Sequence, residues 1–332
     1  MKRFFLLLAV VGMLFTACSE AGTTEQPTPT EPEYVTVSLG LNVGLDYGYE
    51  PLSRAEENND LYGIQVYSTP YPATENPQWT KYAYGLFDST DNLTIKLVRG
   101  YEYKFVAAMV KDGKNKLMSS SNTYGDPFRH ETTSGYAMTP LSISFIYGQL
   151  GMDFSRHTEL KGINSMVDYP NVVRYYGELE GYIPGDNDSK ATIELERTSF
   201  GAKYVANGDY AKNGTLEILM AEAPQLNLNL AESNEVLEIY SFDNQRAAWL
   251  DDNYTETISV SLRIAYSDGT SAPLGTHDIT FKRNTTTVVN VDLSVGGENG
   301  VGFVVTEDGE MPEDSEITIK DGEIVDTEIE TN

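Results

Sequence analysis

From Tyr34 onward apolar and polar positions alternate with a period of two. Val35, Val37, Leu39, Leu41 and Val43 point one way, and Thr36, Ser38, Gly40 and Asn42 the other. That is the pattern of a strand with one face in a core. A polar interval from Asp46 to Asp60 follows, and Tyr62, Ile64 and Val66 resume the alternation. Further strands are predicted at Leu93 to Val98, Tyr101 to Val110, Leu141 to Tyr147 and Val172 to Glu180. Beyond Gly185 they recur at Ala191 to Glu196, Gly201 to Val205, Leu216 to Met220, Val236 to Phe242, Thr257 to Ala265, His277 to Lys282 and Thr287 to Val295. Asp112-Gly113, Asn207-Gly208, Asn213-Gly214 and Asp268-Gly269 supply turns between them, since glycine accepts the positive φ that tight turns require. Only Gln245 to Leu250 suggests a helical turn, and the Ser, Thr and Gly content of Met118 to Met138 suggests a long surface loop. Many short strands with such turns predict an all-β protein of two antiparallel β-sandwich domains in series. Their bounds are expected at 34–182 and 183–305, with the division near Gly181 to Asn187. The segment 306–332 holds eleven acidic residues against Lys320 alone, and reads either as a disordered acidic tail or as an extra strand available to another sheet.

The amino end changes this picture. Lys2 and Arg3 precede an apolar stretch from Phe4 to Phe15, and Leu14-Phe15-Thr16-Ala17-Cys18 closes it in the manner of a lipobox. The stretch is too short for a mature membrane span, which takes about 20 apolar residues. Cys18 is the sole cysteine, so in an exported chain acylation accounts for it better than disulfide pairing does. The expectation is a lipoprotein signal peptide at 1–17, a bacterial chain lipidated at Cys18, and a tether at 18–33 carrying Pro27, Pro29 and Pro32. An ordinary signal peptide with a cysteine nearby is the alternative. A count of 23 Lys and Arg against 50 Asp and Glu, a net charge of −27, speaks against nucleic acid and anionic membrane surfaces as partners.

Candidate chemistry is sparse. His130, His157 and His277 stand far apart in sequence, outside any spaced ligand pattern, and neither a nucleophile elbow nor a phosphate loop occurs. Asp186-Asn187-Asp188 and Asp251-Asp252-Asn253 offer hard oxygen ligands but do not continue into a calcium loop, so polar turns are the plainer reading. Tyr175-Tyr176 and the run Tyr82 to Phe87 suit either a sugar-stacking platform or strand packing. No enzyme, cofactor or metal site is expected.

Arg54, in Leu52-Ser53-Arg54-Ala55, lies in the polar interval after the first strand, where an arginine-specific protease would find it. Cutting between Arg54 and Ala55 would detach the Tyr34 to Val43 strand with the lipid and open a groove for a neighbour's strand. An incidental exposed arginine fits the same residues.

The lipobox leader, the first strand with its arginine-containing loop, Tyr176-Gly177-Glu178-Leu179-Glu180 leading to Ile193-Glu194-Leu195-Glu196-Arg197-Thr198, and Phe281-Lys282-Arg283-Asn284 to Val291 together resemble the fimbrillin-type (type V) pilins of anaerobic gut and oral bacteria. That resemblance implies two transthyretin-like sandwiches, outer-membrane lipoprotein export, surface display, processing at Arg54 and polymerisation with other pilin subunits by β-strand addition. It makes Val35, Val37, Leu39, Leu41 and Val43 the inward positions of an exchangeable strand, and a host glycan or protein receptor the adhesion partner. In such pilins the C-terminal strand is the donor. Here the end is acidic and weakly alternating, which fits an accessory, tip or anchoring subunit better than a major shaft. A non-polymerising outer-membrane surface lipoprotein that binds glycan or another small ligand is the second reading. Exchange requires an opening segment that completes the first sandwich yet remains replaceable; a segment outside the sheet, or hemmed in on both edges, removes the case for polymerisation.

Overall fold

The computed structural model describes residues 32–43, 59–72, 75–163, 165–185, 190–208, 213–293 and 302–310, and within them the chain is all-β. The first sandwich opens with β1 (Tyr34–Val43), β2 (Leu61–Pro70), β3 (Thr80–Phe87), β4 (Thr94–Val98) and β5 (Tyr101–Val110). Asp112 then takes a left-handed φ of 55° and leads into α1 (Gly113–Lys116), so the Asp-Gly pair turns the chain into a helical turn. A long excursion carries short pieces: β6 (Ser119–Ser120), β7 (Thr123–Tyr124), β8 (His130–Thr132), β9 (Gly135–Ala137), β10 (Thr139–Pro140), β11 (Ile146–Tyr147), β12 (Thr158–Glu159) and β13 (Met166–Val167). Regular strands return with β14 (Arg174–Tyr182) and β15 (Lys190–Arg197).

These strands form one folded sheet in the order β11-β3-β2-β5-β14-β15-β1-β4. The corner is β15. Glu196 and Arg197 pair with Tyr176 and Tyr175 of β14, while Lys190 to Leu195 run parallel to Ser38 to Val43 of β1. The layer β15-β1-β4 therefore faces the layer β3-β2-β5-β14. Val37, Leu39, Ile95, Leu97, Ile193 and Leu195 pack from one side against Ile64, Val66, Phe105, Ala107 and Tyr175 from the other. Gly177 permits the corner, because a Cβ there would lie 2.0 Å from the carbonyl oxygen of Glu194. Gly177→Ala is expected to push the β14 and β15 backbones apart and to cost about 2 kcal/mol or more, read as a lower urea midpoint. An unchanged midpoint would remove the close-approach argument.

The layer β3-β2-β5-β14 is covered on both faces. Residues of β5 alternate between cores: Phe105, Ala107 and Met109 face β1, whereas Val106, Ala108 and Val110 face outward into a second cluster with Leu61, Leu86 and Tyr176. The excursion supplies the cover for that outer face, with Leu117, Tyr124, Phe128, Met152, Phe154, Leu160 and Val167. The segment Met118 to Met138 is consequently no surface loop, since Tyr124, Asp126 and Phe128 within it are buried. Its polar composition conceals a few apolar anchors, and those decide its placement. Of the strand expected at Leu141 to Tyr147, only Ile146–Tyr147 pairs.

The second sandwich comprises β16 (Ser199–Asn207), β17 (Thr215–Met220), β18 (Leu226–Asn229), β19 (Glu235–Ser241), α2 (Gln245–Leu250), β20 (Thr255–Ala265), β21 (Ser271–Lys282), β22 (Thr285–Asp292) and β23 (Gly302–Glu310). Its sheets run β19-β16-β22-β23 and β18-β17-β20-β21. Phe200, Tyr204, Tyr240, Ile218, Val260, Ile264, Phe281 and Val289 fill the space between them. The helical turn at Gln245–Leu250 is present, started by Asn244, whose Oδ1 accepts a hydrogen bond from the Ala247 amide at 3.0 Å.

Three features differ from the sequence reading. Not all pairing is antiparallel, because β1 runs parallel to β15 and β16 parallel to β22. The division expected near 181–187 falls inside the β14–β15 hairpin. Ala191, Ile193 and Leu195 enter the first core and Phe200 the second, so the cores separate between Arg197 and Ser199. Arg283 ties this junction, donating from Nε to the Arg197 carbonyl at 2.8 Å and from Nη2 to Glu196 at 2.6 Å. Finally, residues 302–310 are a strand antiparallel to β22, so an extra strand begins before the acidic segment and includes its first residues.

Candidate functional site

Cys18, Arg54 and Ala55 lie outside the described residues, as do Asp186, Asn187 and Asp188. The opening strand is fully described. Val37 and Leu39 are buried at 0% and 4% exposure, while Val35, Leu41 and Val43 pack against the same core half-buried. The sequence thus identifies the inward face correctly. The edges are another matter. Tyr34 to Ser38 pair antiparallel with Val98 to Thr94 of β4, and Ser38 to Val43 pair parallel with β15. Asn42 Nδ2 adds a bond to Glu194 Oε2 at 2.6 Å. β1 completes the sandwich, its first half laddered to β4 and its second half to β15, the two ladders overlapping at Ser38. Withdrawing β1, or putting a neighbour's strand in its place, would break both of these ladders.

The outer edge of β4 is closed by side chains. β4 has β1 as its sheet neighbour on one side and tyrosine hydroxyls on the other. Tyr147 Oη accepts from the Lys96 amide at 2.9 Å, and Tyr82 Oη donates to the Lys96 carbonyl at 2.7 Å. Tyr103 Oη accepts from the Val98 amide at 2.7 Å and donates to its carbonyl at 3.0 Å. The rings support one another edge to face, Tyr82 lying 5.1 Å from Tyr103 and 5.6 Å from Tyr147. Burial pushes the Tyr103 phenol up to about 12, so this cap keeps its donor hydrogen at neutral pH. Side chains here do what a further strand would otherwise do for a sheet edge.

The aromatic platform considered from sequence divides between roles. Tyr82 caps β4, Tyr84 stacks on His130, and Phe87 and Tyr175 lie in the first core. Tyr176 alone of that set faces an open cleft. Asp251 and Asn253 form a polar turn, with the Asn253 amide donating to Asp251 Oδ1 at 2.9 Å, while Asp252 pairs with Arg283.

One ligand-like trio appears that spacing could not reveal. His157 and Asp168 flank the β12–β13 hairpin, and Asp243 comes from the second sandwich just ahead of α2. His157 Nδ1 lies 2.8 Å from Asp168 Oδ1 and 3.1 Å from Asp243 Oδ1. Burial raises the Asp243 carboxyl, His157 pulls it back, and Asp168 adds to the rise. Both carboxylates meet the same ring nitrogen, which carries one N–H at most, so the contact is shared between them, and the three groups could alternatively hold a cation. It is the one such group among the described residues. No helix among the described residues is long and apolar enough to cross a membrane.

No protein-family model and no curated protein matches the chain. Similar solved structures include a protein assigned as an adhesin from Bacteroides ovatus, with 10% identity and a TM-score of 0.40 over 84% of this chain and 96% of that one. The fimbrial anchor protein Mfa2 from Porphyromonas gingivalis shows 7% identity and a TM-score of 0.37 over 84% and 98%. A fimbrial assembly protein from Parabacteroides distasonis shows 11% identity and a TM-score of 0.36 over 84% and 100%.

Proposed function

We propose that this chain is a cell-surface lipoprotein, held to the outer membrane through Cys18, that serves as a fimbrial subunit in adhesion and keeps its opening strand. The observation that carries this is the double pairing of β1. A strand bonded to β4 through its first half and to β15 through its second follows the expected tether. A pull on the lipid end loads the β4 ladder first and the β15 ladder behind it, and the half-buried and buried Val and Leu side chains resist with them. That arrangement serves a subunit fixed to the membrane or ending a fibre better than a shaft subunit that must surrender its first strand. The role is structural rather than enzymatic.

The double pairing also alters what cutting at Arg54 would do. Scission would break the chain but leave β1 bonded to β15 and β4, so the strand would stay in place rather than fall away. Joining to a neighbouring subunit by β-strand addition then falls to a strand with one ladder. β23 is such a strand, the outer member of its sheet, with β22 its one strand partner among the described residues. Releasing it breaks half the number of ladders that releasing β1 does.

N-terminal analysis of protein recovered from the cell surface tests the proposal. A lipidated Cys18 is expected, with Arg54→Ala leaving display and assembly unchanged. Chains beginning at Ala55, together with SDS-resistant ladders that Arg54→Ala abolishes, would overturn it in favour of a processed shaft subunit.

A further inference from the structure

A cleft of about 310 Å³ opens where the outer face of the first sandwich meets the start of α2. It exists because the excursion that covers this face stops short of it. Tyr67, Lys104, Tyr176 and Glu178 reach it from β2, β5 and β14, Trp79 borders it from the segment before β3, and Arg246 from α2. Its apolar surface includes Val106, Met152 and Phe154. Its polar centre is Glu178. Lys104 Nζ lies 2.6 Å from Glu178 Oε2, and Arg246 Nε lies 2.7 Å from Oε1. The Tyr176 hydroxyl also donates to Oε1 at 2.7 Å. Burial alone would raise the Glu178 carboxyl, but these three donors outweigh it and hold the group below its ordinary value, ionised. Burial pushes the Tyr67 phenol up to about 12, which keeps it neutral.

Two properties together select a ligand. Aromatic rings converge with a charge-assisted hydrogen-bonding centre, and the charges balance, Lys104 and Arg246 against Glu178 and Asp153. In a chain of net charge −27, a charge-balanced cleft attracts neither a cation nor an anion strongly. It suits a neutral molecule with apolar faces and many hydroxyl groups. The C–H faces of a sugar ring lie against aromatic side chains, and its hydroxyls both donate to a carboxylate and accept from ammonium and guanidinium groups. The volume is at the small end of the usual range of about 300 to 1,000 Å³ for ligand sites, enough for an end-group rather than a polymer.

We propose that this cleft binds a neutral saccharide end-group, stacked on Trp79 or Tyr176 and hydrogen-bonded to the Lys104–Glu178–Arg246 centre. The proposal gives the adhesive part of the functional reading a ligand class, and it depends on neither the lipid anchor nor assembly.

Both tryptophans of the chain report on the site, since Trp79 lines it and Trp249 sits 5.8 Å from Tyr176, edge to face. The purified full chain is applied to an array of neutral and acidic saccharides, and the saccharides retained are titrated by intrinsic fluorescence. Retention of neutral saccharides is expected, with Trp79→Ala and Arg246→Ala each lowering affinity about tenfold or more while thermal unfolding stays as in the parent. Retention of none, retention of acidic saccharides alone, or an affinity unchanged in both variants would overturn the proposal. Neither lipidation nor the state of Arg54 enters the readout, so its failure is distinct from failure of the anchoring reading.

Discussion

A chain that begins at Ala55 is expected to lose the first sandwich as a cooperative unit while keeping the second. Val37 and Leu39 are buried to within 4%, and burying each such side chain contributes about 1.5 to 3 kcal/mol. Val35, Leu41 and Val43 add smaller shares, bringing the whole strand to roughly 5 to 10 kcal/mol. That compares with about 5 to 15 kcal/mol for the full stability of a domain. Lost hydrogen bonding deepens the effect, because β15 and β4 would each lose the ladder they share with β1, and β4 has no other strand neighbour among the described residues. Thermal unfolding followed by intrinsic fluorescence and circular dichroism should show the first transition missing or strongly lowered and the second unmoved. A synthetic peptide of the sequence Tyr34 to Val43 should restore the first transition, since the groove it leaves keeps both pairing edges. Two intact transitions in the shortened chain would show that β1 is dispensable and would remove the structural basis of the anchoring proposal.

Phe200→Ala is expected to destabilise the second sandwich by about 3 to 5 kcal/mol. Phe200 is fully buried at the start of β16, with ring centroids 4.7 Å from both Phe242 and Phe281, 5.8 Å from Tyr240 and 6.3 Å from Tyr169. Those partners come from β19 and its exit, from β21 in the facing sheet, and from the segment ahead of β14, so one ring ties both layers to the junction. Close packing leaves little room for collapse around the missing ring, hence a cost at the upper part of the range for such truncations. Urea unfolding should register a lower midpoint, with Phe200→Leu falling between the parent and Phe200→Ala. A loss below about 1 kcal/mol would mean that the cluster repacks freely.

Much of the strand pattern was legible because alternation reports directly on which side chains face a core. The inward set of β1, the helical turn at Gln245–Leu250 and most strands of the second sandwich follow from it. The excursion was not legible for the same reason. Phe128, Phe154 and Leu160 follow no period, and β5 is buried on both faces, so it presents a run where alternation would otherwise stand out. The cleft residues Tyr67, Trp79, Glu178 and Arg246 share no motif, and Trp79 and Tyr176 were conspicuous only as aromatics.

The sequence by itself determined the all-β class, the inward face of the opening strand and the excess of acidic residues, all properties legible from neighbouring residues and composition. Tertiary structure alone decided that β1 lies between β15 and β4, that tyrosine hydroxyls close the edge beyond, and that Glu178 gathers Lys104, Tyr176 and Arg246. The physical reason is directional. Side-chain period fixes what points above and below a sheet, whereas the partners of a strand lie in its plane, joined through backbone groups that every residue carries alike.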